Sequence, residues 1–357
     1  MNIIIDAMGG DNAPDEVVRG AIDASLQYNI KVTLVGDRQR IEKAAAAYGF
    51  DINNKNIEIY HADEVIGMND SPTAVVREKS NSSMSVGLRL LKDSGDAFVS
   101  AGNTGALHTG SSLIVRKIPG VHRAAIATMI PFERPVCLMD SGANVVVTSD
   151  YMEQWAMMGA VYMKKLYGID NPAVGLLNNG TEESKGTPLM IETYKMLSET
   201  KMNVNFVGNV EAKDIPFSRC DVLITDGFTG NIVLKLLEGM GKFMLSELRA
   251  MYEKNTVSKV AYLVMKDELK GMKKTFDASE HGGMPLLGLK KPVIKAHGNS
   301  DAFAVKNAIR QAAMFAKTGI IAEMSGEIAA ETKRNRDEKA SKNNNDNDNN
   351  DKREDTE

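Results

Sequence analysis

The chain is 357 residues long, with 43% hydrophobic residues, 25% charged residues and a formal net charge of −4. That composition supplies a sizeable core and suits a soluble globule of roughly two domains' worth of chain. It argues against a nucleic-acid surface, and no basic stripe interleaved with aromatics is present.

The opening stretch MNIIIDAMGGD lacks the charged and then long apolar layout of a secretory leader. No stretch approaches the roughly 18 apolar residues that span a bilayer, so a cytoplasmic protein is expected. Short apolar runs follow in series: Ile3-Ile4-Ile5, Val32 to Val35, Ile57 to Ile59, Ala97-Phe98-Val99, Ala125 to Ile130, Val136 to Met139, Val204 to Val207 and Val222-Leu223-Ile224. Most give way to Gly, Asp or Asn and then to a helical period. Helices are predicted over Asp15 to Gln27, from Ser71-Pro72 toward Lys92 with a break at Asn81-Ser82-Ser83, and over Asp150 to Tyr167, Thr187 to Leu197 and Asn299 to Lys317. The alternation predicts a three-layer α/β fold, a largely parallel sheet with helices on both faces. Such sheets carry their sites at the carboxyl ends of strands.

Residues 231–276 read differently, as a long helical pair with a break at Asn255. The second member gathers Val257, Val260, Leu263, Val264 and Met265 ahead of Lys266, Lys270, Lys273 and Lys274. Two readings stand side by side: a dimer or core helix, and a projecting arm whose apolar tip enters a membrane interface. Residues 331–357 have no large apolar side chain and carry seven basic and nine acidic residues, so a disordered polar tail is expected after a body of residues 1–330. Cys137 and Cys220 lie in apolar runs and are expected as buried thiols, not as a disulfide or metal pair.

Two turns share one layout. SAGNTGALHTG (Ser100 to Gly110) and TDGFTGN (Thr225 to Asn231) each place Thr-Gly between an apolar run and a helix. Free backbone N–H groups at such a turn suit an anion. Gly102, Asn103, Thr104 and Gly105 in the first, and Thr229, Gly230 and Asn231 in the second, are candidate phosphate or oxyanion contacts. Neither turn is a Walker loop or a dinucleotide fingerprint. Lys185, in NNGTEESKGT, is a candidate for balancing phosphate or oxyanion charge. Arg77 suits bidentate phosphate contact, with a surface salt bridge as the alternative. His108, one helical turn past Thr104, is either a proton shuttle or a satisfied helix histidine. No His-x-x-x-His pair and no Gly-x-Ser-x-Gly elbow is present, so no metal site and no serine nucleophile is expected. The lack of a protein nucleophile fits chemistry in which phosphate itself attacks.

DAMGGDNAP, SPTxxxR with SSM, SAGNTGA, DSGAN, NGTEESKG, FVGNVE, DVLITDGFTGN and GGMPLLG, in that order, resemble the bacterial phosphate acyltransferases of phospholipid synthesis, the PlsX family of acyl-carrier-protein:phosphate acyltransferases. The resemblance spans about residues 1–325. Ala124, Asn179 and His281 depart from the pattern. It implies a fold like that of phosphate acetyltransferases and isopropylmalate dehydrogenases. It also implies attack of orthophosphate on the thioester of a long-chain acyl-carrier protein, a homodimer on the cytoplasmic membrane face, and no cofactor. The acyl-phosphate would pass to a membrane glycerol-3-phosphate acyltransferase. Three other readings remain open from the residues: a phosphate acetyl- or butyryltransferase acting on acyl-CoA, a non-catalytic membrane adaptor, and, least supported, a dehydrogenase.

Overall fold

A computed structural model describes residues 1–52, 56–132, 134–269, 271, 282–334 and 336–337. Its strands are β1 (Asn2–Asp6), β2 (Lys31–Gly36), β3 (Ile57–His61), β4 (Ala97–Ser100), β5 (Ala125–Ile130), β6 (Val136–Met139), β7 (Ala173–Asn178), β8 (Asn205–Glu211), β9 (Val222–Ile224), β10 (Met284–Leu287) and β11 (Val293–Lys295). They form one sheet in the order β3-β2-β1-β4-β11-β10-β5-β6-β9-β7-β8. The helices are α1 (Asp15–Tyr28), α2 (Arg38–Ala47), α3 (Ser83–Asp93), α4 (Thr104–Gly110), α5 (Ser149–Tyr167), α6 (Pro188–Glu199), α7 (Gly227–Glu253), α8 (Thr256–Val264) and α9 (Ala302–Lys317).

Side chains of successive strand residues point to opposite faces, and both faces are covered. Ile3 and Ile5 of β1 pack with Val18 and Ile22 of α1 and Ile309 of α9. Ile4, between them, packs on the other side with Leu88 and Leu91 of α3. In the second half Val222 and Ile224 of β9 join the cluster of Trp155 and Met158 on α5, while Leu223 faces Leu234 and Leu237 of α7. The expected three-layer α/β architecture is therefore the one observed.

The sheet is parallel in each half but reverses in the middle. β10 pairs antiparallel with β11 and β5, and β5 pairs antiparallel with β6. Three reversals leave β4 and β9 running in opposite directions. β10 and β11 are absent from the runs picked out in the sequence: β10 holds Pro285, which masks a strand pattern, and β11 is only Val293-Ile294-Lys295.

Local chemistry sets several boundaries. The helix predicted from Ser71 toward Lys92 is split into a 3-10 turn, Pro72–Val75, and α3. Ser82 caps α3 through the Ser85 N–H, and Lys79 is tied to the Asp70 carboxylate at 2.5 Å and to the Val65 carbonyl, which bends the intervening chain. Asn255, the predicted break, caps α8 by accepting from the Ser258 N–H. The predicted second helix beyond residue 271 lies outside the described residues, as does His281.

A further helix covers residues 320–334, which corrects the placement of the tail's start at residue 331. Ile320, Met324 and Ile328 recur every four residues and are all fully buried, so this segment has a core-facing stripe that holds the last turn. The Thr332 hydroxyl donates back to the Ile328 carbonyl. Residues 335 and 338–357 lie outside the described residues. Cys137 and Cys220 are free and buried, and burial pushes both thiols up to about 12. No helix among the described residues is long and apolar enough to cross a membrane.

Candidate functional site

Each Thr-Gly turn packs against a buried aspartate that ends the neighbouring strand. Asp6 closes β1 and accepts from the Ser83 hydroxyl at 2.6 Å and the Ser100 hydroxyl at 2.7 Å. Gly9 and Gly102 crowd in beside it; a Cβ on Gly9 would stand 2.8 Å from the Gly102 nitrogen. Asp140 follows β6 and accepts from the N–H groups of Ile126, Gly142, Ala143 and Asn144 and from the Asn144 amide. A Cβ on Gly230 would overlap the Asp140 carbonyl oxygen, so only glycine admits this approach. Burial pushes both carboxyls above the ordinary aspartate range, opposed by these hydrogen bonds. The repeated layout is thus a repeated piece of scaffold, a carboxylate fixing a glycine turn, in two half-sheets of opposite direction.

The predicted residues fall into different places. The Asn103 side chain caps α4 through the Ala106 N–H at 3.0 Å and donates to the carbonyls of Gly67, Met68 and Asp70. It clamps the loop before the first turn. Thr104 and Gly105 are half-buried at the start of α4. His108 is buried, and its Nε2–H donates to the Ala124 carbonyl at 3.0 Å, which is the satisfied-histidine reading of that residue. Burial lowers its pKa, with the Ala124 bond acting against this. The same carbonyl accepts from Asn144, so the departure at Ala124 sits where α4 meets the DSGAN loop. Arg77 is exposed, past the Pro72–Val75 turn.

In the second turn Asp226 caps α7, accepting from the Phe228 and Thr229 N–H groups at 2.9 Å and from the Thr229 hydroxyl at 2.7 Å. The chain's own carboxylate therefore sits at this helix N-terminus. Asn231 faces the neighbouring loop, 3.5 Å from the position a Cβ on Gly142 would take. Lys185 follows β7, next to β9 in the sheet, with its amine 3.8 Å from Glu182 and its side chain half open to solvent. Lys185 and the second turn thus share one end of the sheet. The first turn lies at the carboxyl end of strands that run the other way.

What spans the two ends is α7. Asn231 and Glu238 are seven residues apart, two turns and about 10.5 Å along one face. Glu238 lies with its Oε1 3.8 Å from Nε2 of His297, beyond the end of β11. Lys295, two residues earlier, is 4% exposed and donates to the carbonyls of Ala101 and Ala296, so it grips the first turn directly. Burial lowers its pKa to about 8, against the pull of Asp6 and Asp11. Beside His297 opens a crevice of about 80 Å³ walled by Ile130, Phe132, Leu234, Leu237 and Met284. This is an apolar slot whose ionisable lining is His297 and Glu238. Sequence reasoning missed Lys295 and His297; the signal was a Lys-x-His after an apolar pair in VIKAHGNSD, whose alternation puts both on one side of the strand end. Among the described residues no group of three or more His, Cys, Asp or Glu gathers to hold a metal ion.

Comparison with known proteins identifies the family. The family described as fatty acid synthesis protein matches residues 1–323. The chain is 43% identical over 321 residues to the phosphate acyltransferase of Acetivibrio thermocellus, covering 89% of this chain and 94% of that one. It is 42% identical over 344 residues to the phosphate acyltransferase of Clostridioides difficile, covering 95% of this chain and all of the relative. The chain belongs to the phosphate acyltransferase family. This acyltransferase also shares its fold with a phosphotransacetylase from Streptococcus pyogenes (TM-score 0.59, 18% identity, 88% of this chain and 94% of that one). A branched-chain phosphotransacylase from Enterococcus faecalis matches at TM-score 0.54 and 12% identity, over 89% of this chain and 99% of that one. At those identities the likeness speaks for the fold of the acyltransferase alone.

Proposed function

We propose that the acyltransferase moves a long-chain acyl group from acyl-carrier protein to orthophosphate, and that the acyl-phosphate feeds phospholipid synthesis. The observation that carries this is the apolar crevice lined by His297, two residues from the Lys295 that grips the first Thr-Gly turn. The slot's apolar wall suits the methylenes next to a thioester, and the Lys295 ammonium at the first turn suits an anion. Orthophosphate is already an oxygen nucleophile, so the enzyme's task is orientation, with reacting atoms held about 3–3.5 Å apart. Donors aimed at the developing thioester oxyanion are worth ~10²–10³ in rate each. In this reading Lys295, Thr104 and the backbone of residues 102–105 receive the phosphate. Asn231, Thr229, Gly230 and Lys185 form the far wall, toward the thioester and its carrier; His108 and Arg77 support the first turn. No cofactor takes part.

Two further parts of the proposal concern assembly. α7 presents Ile232, Leu236, Met240 and Phe243 to solvent, a stripe that suits a second copy of the chain. α8 has no buried residue, and exposes Val257, Val260, Leu263 and Val264, an apolar tip that suits the cytoplasmic membrane surface. A product released there meets the membrane glycerol-3-phosphate acyltransferase that would consume it.

The test offers labelled phosphate with palmitoyl-carrier protein, acetyl-CoA or butyryl-CoA. The proposal expects acyl-phosphate from the carrier donor at least tenfold faster than from either CoA ester. The reverse order would favour the short-chain acyl-CoA reading. In the same assay Lys185→Ala and Asn231→Ala should each lower turnover by tenfold or more with an unchanged melting curve. Near-normal turnover in both would remove the far wall from the site.

A further inference from the structure

Four of the five histidines are described, and their rings differ in one respect. His61 accepts from the Arg38 N–H and is paired with Asp63; His108 donates to Ala124; His122 is paired with Asp150 at 2.5 Å. The His297 ring has no hydrogen bond among the described residues, and its nearest charged partner is Glu238 at 3.8 Å. Yet its backbone is held firmly: the His297 carbonyl accepts both the Ser300 N–H and the Ser300 hydroxyl. The Glu238 Oε1 that faces it is itself buried without a hydrogen bond. A fixed backbone, an uncommitted ring and an orphaned carboxylate oxygen meet in the lining of the apolar crevice.

We infer that His297, oriented by Glu238, is the catalytic residue that carries the reaction's proton from the attacking phosphate to the departing sulfur. The assignment rests on the proposed donor and acceptor. Hydrogen phosphate dianion attacks the thioester carbon; the C–O bond forms and the C–S bond breaks, its electron pair leaving on sulfur. Neutral His297 takes the phosphate's proton and delivers it to the thiolate. The products are acyl-phosphate and the free thiol of the carrier, and the imidazole ends as it began. Burial and the charges of Lys295, Lys235 and Lys242 favour the neutral ring, while Glu238 favours the cation, so the ring is poised to accept and then give up a proton. Glu238 is a positioning residue here: it touches the ring, not the substrate.

The experiment compares two donors, palmitoyl-carrier protein and an aryl thioester of palmitate whose thiol is acidic enough to leave unprotonated. His297→Gln should lower kcat about 10²-fold with the carrier donor, and by less than about tenfold with the aryl thioester. Glu238→Gln should show the same split with a smaller loss. Melting curves of both variants should match the parent, since the ring has no hydrogen bond to lose. Equal losses with both donors, or no loss with either, would overturn the proton role while leaving the function intact. A parent enzyme that makes no acyl-phosphate from either donor would overturn the proposed function and this assignment with it.

Discussion

Asn103 has the chemistry of a substrate contact and the geometry of a clamp. Its oxygen caps α4, and its amide reaches three carbonyls of the preceding loop. Loss of an N-cap alone costs about 0.5–2 kcal/mol. Carbonyls left without a donor add to that where they are buried. Asn103→Ala should therefore destabilise the protein by about 2 kcal/mol in urea unfolding. A change below about 0.5 kcal/mol would mean that the clamp is not structural. The sequence could nominate Asn103 because Asn is common both at caps and at anion sites. It could not say which, since that depends on what stands across from the side chain, here a loop 33 to 36 residues earlier. Lys295 is the opposite case. The local Lys-x-His pattern does not say what the ammonium meets, and only its position over Ala101 makes it part of the first turn.

At the scale of the element, α7 carries most of the argument. Its 27 residues run about 40 Å. One face begins at the second Thr-Gly turn and reaches His297; Val233, Leu234 and Leu237 pack into the second half of the sheet. Toward its C-terminus the helix leaves the body, and α8 folds back on it with the Tyr252 and Tyr262 rings tilted at 56°, centroids 5.6 Å apart. The helical pair was legible from periodicity and from Asn255 as a break. Its two jobs, wall of a cleft and exposed arm, were not, because a period shows that a face is apolar but not what it meets. If the tip engages lipid, Leu263→Glu should abolish sedimentation with anionic vesicles while acyl transfer in solution continues. Unchanged vesicle binding would remove the tip from the proposal.

The whole molecule turns on the reversal at β10, β5 and β6. A sheet that stayed parallel throughout would bring both Thr-Gly turns to one edge. Three antiparallel pairings set them on strands of opposite direction, and α7 bridges the distance. Ile232, Leu236, Met240 and Phe243 are 51%, 62%, 47% and 57% accessible along α7, an apolar stripe that suits a second copy of the chain. Sedimentation should give a dimer, and Phe243→Glu should shift it to monomer at micromolar concentration. A monomeric parent would leave the stripe to some other partner.

The sequence by itself determined the layered α/β class, the presence of most long helices, and the family, since apolar period, turn chemistry and motif order are all local along the chain. Only the tertiary structure decided which motif faces which. Strand direction depends on pairings between residues more than a hundred positions apart, as between β10 and β5. Those pairings are what carry Lys295 onto the first turn, bring His297 to Glu238, and turn a repeated Thr-Gly motif into two separate scaffolds joined by one helix.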